Sequence, residues 1–398
     1  MFQKKGFLIF SLVFLSFFQL IYSFSFPAVG LNESWQRVET YLPKFKAESQ
    51  DRNLLNRFLP LISSEYRLNS DVSHYLETGR YFNEGFFRNS PVLSRPLYPF
   101  LIFLTTLPVR PFLGSSFGIA FAAAILDNFI FLAIGASLFF LLLKKIFSLK
   151  VAFLSSVLLI FSPFVHTALA QPRADIAMLS AIILSIYLLQ KYIEKPSKLK
   201  LTLFSLIVGS LMLGKMFFAL PFFILLLASY FRRYKEGMIF FAVHLIPMAL
   251  WYLWATRIWR IPFYVHEVNY YQSDSLLYIF SWPWPKIYGI FLSALPNFME
   301  TLIYGFLLIP IIFSAIGFRN LPFKSKNIIY FGSIFSVFLF SFLTNIYYAR
   351  IAFFLFPIIY PTCILGIERM GRPALQAAAV GLIVFISSVN FYNIFNYL

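Results

Sequence analysis

Long apolar runs separated by short polar breaks fill most of the chain after Phe7. They lie at 7–26, 97–113, 117–143, 151–169, 174–190, 201–214, 216–231, 238–256, 288–317, 328–345, 351–367 and 374–392. Most have the length of a helix that crosses the roughly 30 Å hydrocarbon core of a bilayer, about 20 residues. The pattern predicts an all-α polytopic membrane protein, a single membrane domain over residues 1–398. Lys4 and Lys5 precede the first run with no small-x-small cleavage site after it, so 7–26 reads as an uncleaved anchor. The one long polar stretch is 27–96. It opens an extracytoplasmic loop, 27–116, in which short apolar pieces are expected to form interfacial helices.

The run 97–113 decides the sidedness of everything after it. If it dips into the membrane without crossing, the inside receives Lys4 and Lys5; Lys144, Lys145 and Lys150; Lys191, Lys195, Lys198 and Lys200; Arg232, Arg233 and Lys235; Arg319, Lys324 and Lys326; and Arg369 and Arg372. These are 17 of the 33 Lys and Arg residues. Outside the first loop proper, the other face then holds Arg110, Arg173, Lys215, Arg257, Arg260, Lys286 and Arg350. Cytoplasmic loops carry the excess of Lys and Arg, so this arrangement is preferred. Pro96, Pro99, Pro108 and Pro111 agree, because repeated prolines interrupt a straight crossing helix. The expectation is about 11 spans, with the N-terminus inside, the loop 27–116 outside and the remaining spans over 117–392. Only 31 residues separate Lys200 from Arg232. The pair 201–214 and 216–231 therefore reads as a tight hairpin with Lys215 at its tip.

Composition narrows the class further. The chain is 60% hydrophobic and 12% charged, more apolar surface than a soluble domain buries. Its net charge of +17 follows the loops and not a soluble basic face, which excludes nucleic-acid binding. Cys363 is the only cysteine, so neither an intramolecular disulfide nor a cysteine-cluster metal site exists. His74, His166, His244 and His266 are scattered without ligand spacing, and no metal or other cofactor is expected.

Candidate chemistry lies at the expected outer boundary. In "SDVSHYLETGRYF", Asp71 starts a segment with Val72, Tyr75 and Leu76 at helical spacing. Asp71 is read in two compatible ways: as a helix cap, or as a base that takes a proton from an acceptor hydroxyl. Glu65 and Glu77 are the alternative carboxylates of the loop. Lys215 is a cation within an apolar hairpin, where a charge marks a functional site unless it snorkels to the interface. Arg173 and Asp175 in "QPRADIAM" pair with each other or serve a ligand. Arg350 begins a span beside Tyr347 and Tyr348, as an interfacial anchor or a phosphate ligand; Arg95 in "SRPLYP" caps the next segment or binds phosphate.

In order along the chain these pieces resemble the GT-C membrane glycosyltransferases (family 39-like), in the branch of protein O-mannosyltransferases and bacterial lipid A aminoarabinose transferases. The likeness rests on Asp71-x-x-x-Tyr75 followed by "GRYF", on "SRPLYPFLIFL", "QPRADIAM", "GSLMLGKMFFALP" and "RIAFFLFPIIYP". It covers roughly Phe7 to Arg260 and is weaker beyond. Two features depart from the family: Val72 stands where an Asp-Glu pair is common, and no C-terminal soluble domain follows. The resemblance implies a sugar donor linked to a polyprenyl phosphate, transfer with inversion on the periplasmic side of the bacterial inner membrane, and a lipid, glycan or protein hydroxyl as acceptor. It implies Asp71 as base, with Lys215, Arg350, Arg95 and Arg173 around the donor phosphate. The competing classes are a flippase or transporter of lipid-linked saccharides, which would show repeats and several charges near the midplane, and a polysaccharide polymerase, whose large loop usually comes later in the chain.

Overall fold

The computed structural model describes residues 2–25, 75–76, 78–80, 96–115, 117–169, 172, 174–214, 234–259, 283, 285, 306–321 and 355–389. Among these residues the architecture is all-helical, with no strand. The helices are α1 (Phe2–Ser25), α2 (Leu97–Thr106), α3 (Arg110–Leu113), α4 (Phe117–Leu143), α5 (Leu149–Ile160), α6 (Pro163–Leu169), α7 (Asp175–Glu194), α8 (Lys198–Met212), α9 (Tyr234–Trp259), α10 (Leu308–Gly317), α11 (Phe356–Glu368) and α12 (Pro373–Val389). Four of them, α1, α4, α7 and α9, contain stretches long and apolar enough to cross a bilayer.

Element boundaries follow local chemistry. Ser148 and Ser197 accept hydrogen bonds from the backbone N–H groups of Val151 and Lys200, capping α5 and α8. The apolar run 151–169, expected as one span, is instead two helices. Ser162 and Pro163 cause the break: a residue before proline avoids the helical region, and proline is accepted at the first helical position. The Ser162 hydroxyl then accepts from the Val165 N–H and starts α6. The run expected at 288–317 is likewise interrupted, at Leu307, whose φ of 64° lies outside the helical region.

One end of the bundle collects the lysines. Lys5 at the start of α1 and Lys191 at the end of α7 act electrostatically on Lys144, just past α4. Lys145 pairs with Glu194 at 2.5 Å. Lys150, at the start of α5, lies 3.6 Å from Glu368 and donates to Gln376 at 2.8 Å. The hydroxyl of Tyr192 donates to Glu236 at the start of α9. At the opposite end, the Leu97 N–H donates to the Leu213 carbonyl just past α8, at 3.2 Å. The Arg80 guanidinium donates to the Ser115 carbonyl just before α4, at 2.6 Å. Both ends of the 97–115 segment therefore lie at the end of the bundle away from the lysines. With 10 residues, α2 is about 15 Å long, half a bilayer core.

Packing between apolar helices relies on small residues, as expected where lipid removes the hydrophobic drive for association. A Cβ on Gly366 would stand 2.0 Å from the Phe313 carbonyl, and one on Gly209 would stand 2.0 Å from the His244 carbonyl. Between α4 and α7, the Ser180 hydroxyl donates to the Phe131 carbonyl at 2.5 Å. The main core joins α1, α4, α5, α6, α7 and α11.

Candidate functional site

A second, smaller core forms at the end away from the lysines. Tyr75, Leu76, Tyr98, Ile102, Ala120, Phe121 and Ala174 belong to it. The helical residues Tyr75 and Leu76 thus dock on α2 and the first turns of α4, with their side chains buried. Tyr75 meets Tyr98 edge to face, with ring centroids 5.4 Å apart. Gly79 permits the close approach, since a Cβ there would stand 2.6 Å from the Ile102 side chain. Arg110 then locks the segment in place: it donates to the carbonyls of Gly79 at 3.1 Å and Arg80 at 2.5 Å, and to the Thr106 hydroxyl at 3.2 Å. Its guanidinium also lies 4.5 Å from the centre of the Phe103 ring.

Beneath this apolar contact lies a chain of buried polar groups. The Tyr98 hydroxyl donates to Asn128 Oδ1 at 2.9 Å, and Asn128 Nδ2 donates to the Leu169 carbonyl at 3.3 Å. That chain ties α2 to α4 and α6. One residue earlier, Asp127 accepts a hydrogen bond from the Thr105 hydroxyl through Oδ1 at 2.7 Å. Its other oxygen, Oδ2, is buried without a hydrogen-bond partner among the described residues. Burial, then the Asp127 carboxylate, Tyr75 and the Asp175 carboxylate push the Tyr98 phenol well above its ordinary pKa, so it remains a donor. On the far side of α6, His166 Nδ1 is 3.3 Å from Gln19 Nε2, and its ring lies 5.4 Å from that of Tyr22. His166 is thus paired within the bundle.

Of the residues singled out from sequence, Tyr75 and Asp175 are described, and both act on Tyr98. Asp175 is buried at the first turn of α7, where a carboxylate faces the positive end of the helix. Asp71, Glu65, Glu77, Arg95, Arg173, Lys215 and Arg350 lie outside the described residues. The described neighbours of four of them, however, meet at one place. Tyr75 follows Asp71, Tyr98 follows Arg95 and Ala174 follows Arg173, and all three sit in the second core. Leu213, two residues before Lys215, accepts from the N–H of Leu97 beside them. Arg350 differs, because Phe356, the first buried residue after it among the described residues, packs in the main core against Phe139 with centroids 5.1 Å apart.

Sequence reasoning missed Asp127, Asn128 and Thr105. The signal was present: "AAILDNFIF" places a carboxylic acid and an amide inside an apolar run. The rule that singled out Lys215 applies equally to Asp127. Among the described residues no group of three His, Cys, Asp or Glu side chains is arranged to hold a metal ion. No protein-family model matches the sequence, and none of the curated proteins matches it.

Proposed function

We propose that the chain is a GT-C-like membrane glycosyltransferase of about 11 spans, which moves a sugar from a polyprenyl-phosphate donor to an acceptor hydroxyl at the outer face. One observation carries the reading. Tyr75, Leu97, Tyr98, Ala174 and Leu213, which lie within four residues of Asp71, Arg95, Arg173 and Lys215 in sequence, meet around the first turn of α2. That place is at the end of the bundle away from the lysines, which the charge bias assigns to the outside.

The chemistry asks for such a grouping. A polyprenyl tail stays in the bilayer while its phosphate waits at the boundary. Cations there offset the charge that develops on the phosphate as the anomeric bond breaks. The phosphate leaves as an anion and needs no strong acid. Asp71 takes the proton of the acceptor hydroxyl as that oxygen attacks the anomeric carbon from the opposite face, with inversion. Arg95, Arg173 and Lys215 serve the phosphate. Arg350, the fourth cation expected there, lacks the same support from its described neighbours.

The test is single-turnover release of polyprenyl phosphate from labelled polyprenyl-phosphate hexoses and pentoses, with the purified chain in liposomes of total envelope lipid, whose hydroxyl groups and the surrounding water take the sugar. Release from at least one donor, lost in Asp71→Asn, is expected. No release from any donor, or full release with Asp71→Asn, overturns the reading.

A second reading is favoured by Asp127. A buried carboxylic acid with one unpartnered oxygen inside a membrane helix is also the kind of group that carries a proton in transporters. In that case the chain moves a lipid-linked saccharide across the bilayer, driven by a proton gradient. A labelled donor that changes leaflet only under an imposed gradient, and not in Asp127→Asn, would favour it.

A further inference from the structure

We propose that the lysine-rich end of the bundle binds the phosphodiester headgroup of an anionic phospholipid, in a site made by the start of α1, the end of α4 and the end of α7. Four cations from these three elements converge there. Tyr187 on α7 stands between two of them, with Lys145 Nζ 5.6 Å and Lys191 Nζ 5.7 Å from its ring centre. Lys144 Nζ is 5.7 Å from the Phe140 ring. Lys5 completes the group from α1.

Their charge is not balanced within the described protein. Lys145 is paired with Glu194. Lys5, Lys144 and Lys191 have no carboxylate partner among the described residues. Burial, then Lys5, Lys145 and Lys191, hold the Lys144 ammonium below its ordinary pKa, so what surrounds this half-buried group is repulsive. Like charges gathered at a partly dry helix junction are costly unless an anion lies among them. A phosphodiester offers the oxygens that three ammonium groups lack. Apolar surface for its acyl chains lies close by, because Phe7 and Phe10, two and five residues after Lys5 on α1, are 67% and 68% exposed. A general excess of cytoplasmic charge does not account for the grouping. Lys195, Lys198 and Lys200 stand at the same end, on the turn between α7 and α8 and at the start of α8, whereas Lys191, equally exposed to solvent, stands over the Tyr187 ring beside Lys145.

The site is independent of the proposed transfer reaction and is tested by binding. The full chain, purified in neutral detergent, is titrated with fluorescent phosphatidylglycerol and with the matching phosphatidylcholine, and bound lipid is counted by native mass spectrometry. Phosphatidylglycerol is expected to bind selectively. The triple variant Lys5→Gln, Lys144→Gln, Lys191→Gln should bind about 100-fold more weakly, and Lys144→Gln alone about 5-fold. The control pair Lys198→Gln, Lys200→Gln should bind as the original chain does, and a triple Lys→Arg variant should retain binding. If the triple glutamine variant does not fold, Lys144→Gln carries the reading. Equal binding of the two lipids overturns the proposal, as does unchanged binding in the glutamine variants. An equal loss in the control pair would reduce the effect to diffuse surface charge. Displacement by millimolar inorganic phosphate would make the ligand a soluble anion, and the lipid assignment would fall.

Discussion

Asp127 shares α4 with Leu126 and Ile130, which are 47% and 42% exposed, yet it is itself 6% exposed, turned from the lipid toward Thr105. The orientation explains how a carboxylic acid persists in an apolar helix, since one oxygen is bonded and the group is sheltered by α2. It also separates the two functional readings. Asp127→Asn keeps the shape and can still accept from Thr105, but no longer ionises. If Asp71 is the base, Asp127→Asn should leave transfer within a few-fold, whereas Asp71→Asn should lower it about 10²–10⁴-fold. Because Asn caps a helix as well as Asp does, Asp71→Asn should not alter stability. Parallel rates and thermal midpoints for the two variants check this. The reverse ranking, with Asp127→Asn inactive and Asp71→Asn active, would transfer the role to Asp127. Tyr98→Phe probes the supporting chain, because it removes the hydrogen bond from the Tyr98 hydroxyl to Asn128 Oδ1. A stability loss of about 0.6–1.7 kcal/mol is expected, measured by denaturant unfolding in detergent.

The helices themselves were legible to different degrees, for reasons particular to each. The apolar run 117–143 coincides with α4 because nothing within it competes with a continuous helix. The run 151–169 looks the same to a hydropathy average, but Ser162 and Pro163 divide it, a backbone effect that side-chain polarity does not register. The docking of Tyr75 and Leu76 could be read from their helical spacing. Their partner Tyr98 could not, since pairing across chain segments has no periodicity. Asp127 escaped notice because an average over its apolar neighbours hides a single carboxylate. Close helix contacts are equally silent in sequence, and they give a test at this scale. Gly366→Ala places a Cβ against the Phe313 carbonyl, so α10 and α11 must move apart. The expected cost is about 1–3 kcal/mol. Gly381→Ala on α12 meets nothing within 4 Å and should change stability by less than about 0.5 kcal/mol. Thermal unfolding of the two variants side by side distinguishes a packing requirement from a general intolerance of alanine.

At the scale of the whole molecule the decisive question is which way the bundle faces. Lys5, Lys144, Lys145, Lys150 and Lys191 share one end with the beginnings of α9 and α12, while Arg80, Leu97, Ser115 and Leu213 share the other. The charge bias predicts that the lysine end is cytoplasmic. This holds only if α2 does not cross. Its two flanks support that, since Leu97 is bonded beside the end of α8 and Ser115 leads into the start of α4, both away from the lysines. Were α2 to cross, those flanks would stand about 30 Å apart on opposite faces. Cys363 is buried and is expected to remain silent to labels, so single cysteines can be introduced into the otherwise unchanged chain. Cysteines at Lys198 and Lys324 should react only after the membrane is opened to a polar maleimide, and one at Gly114, in open space beyond α3, should react in intact cells. Labelling of Lys198→Cys and Lys324→Cys from outside, with Gly114→Cys protected, would invert the bundle. The group around α2 would then face the cytoplasm, where an outward-facing polyprenyl-phosphate donor cannot meet it, and the proposed transfer would fail with it.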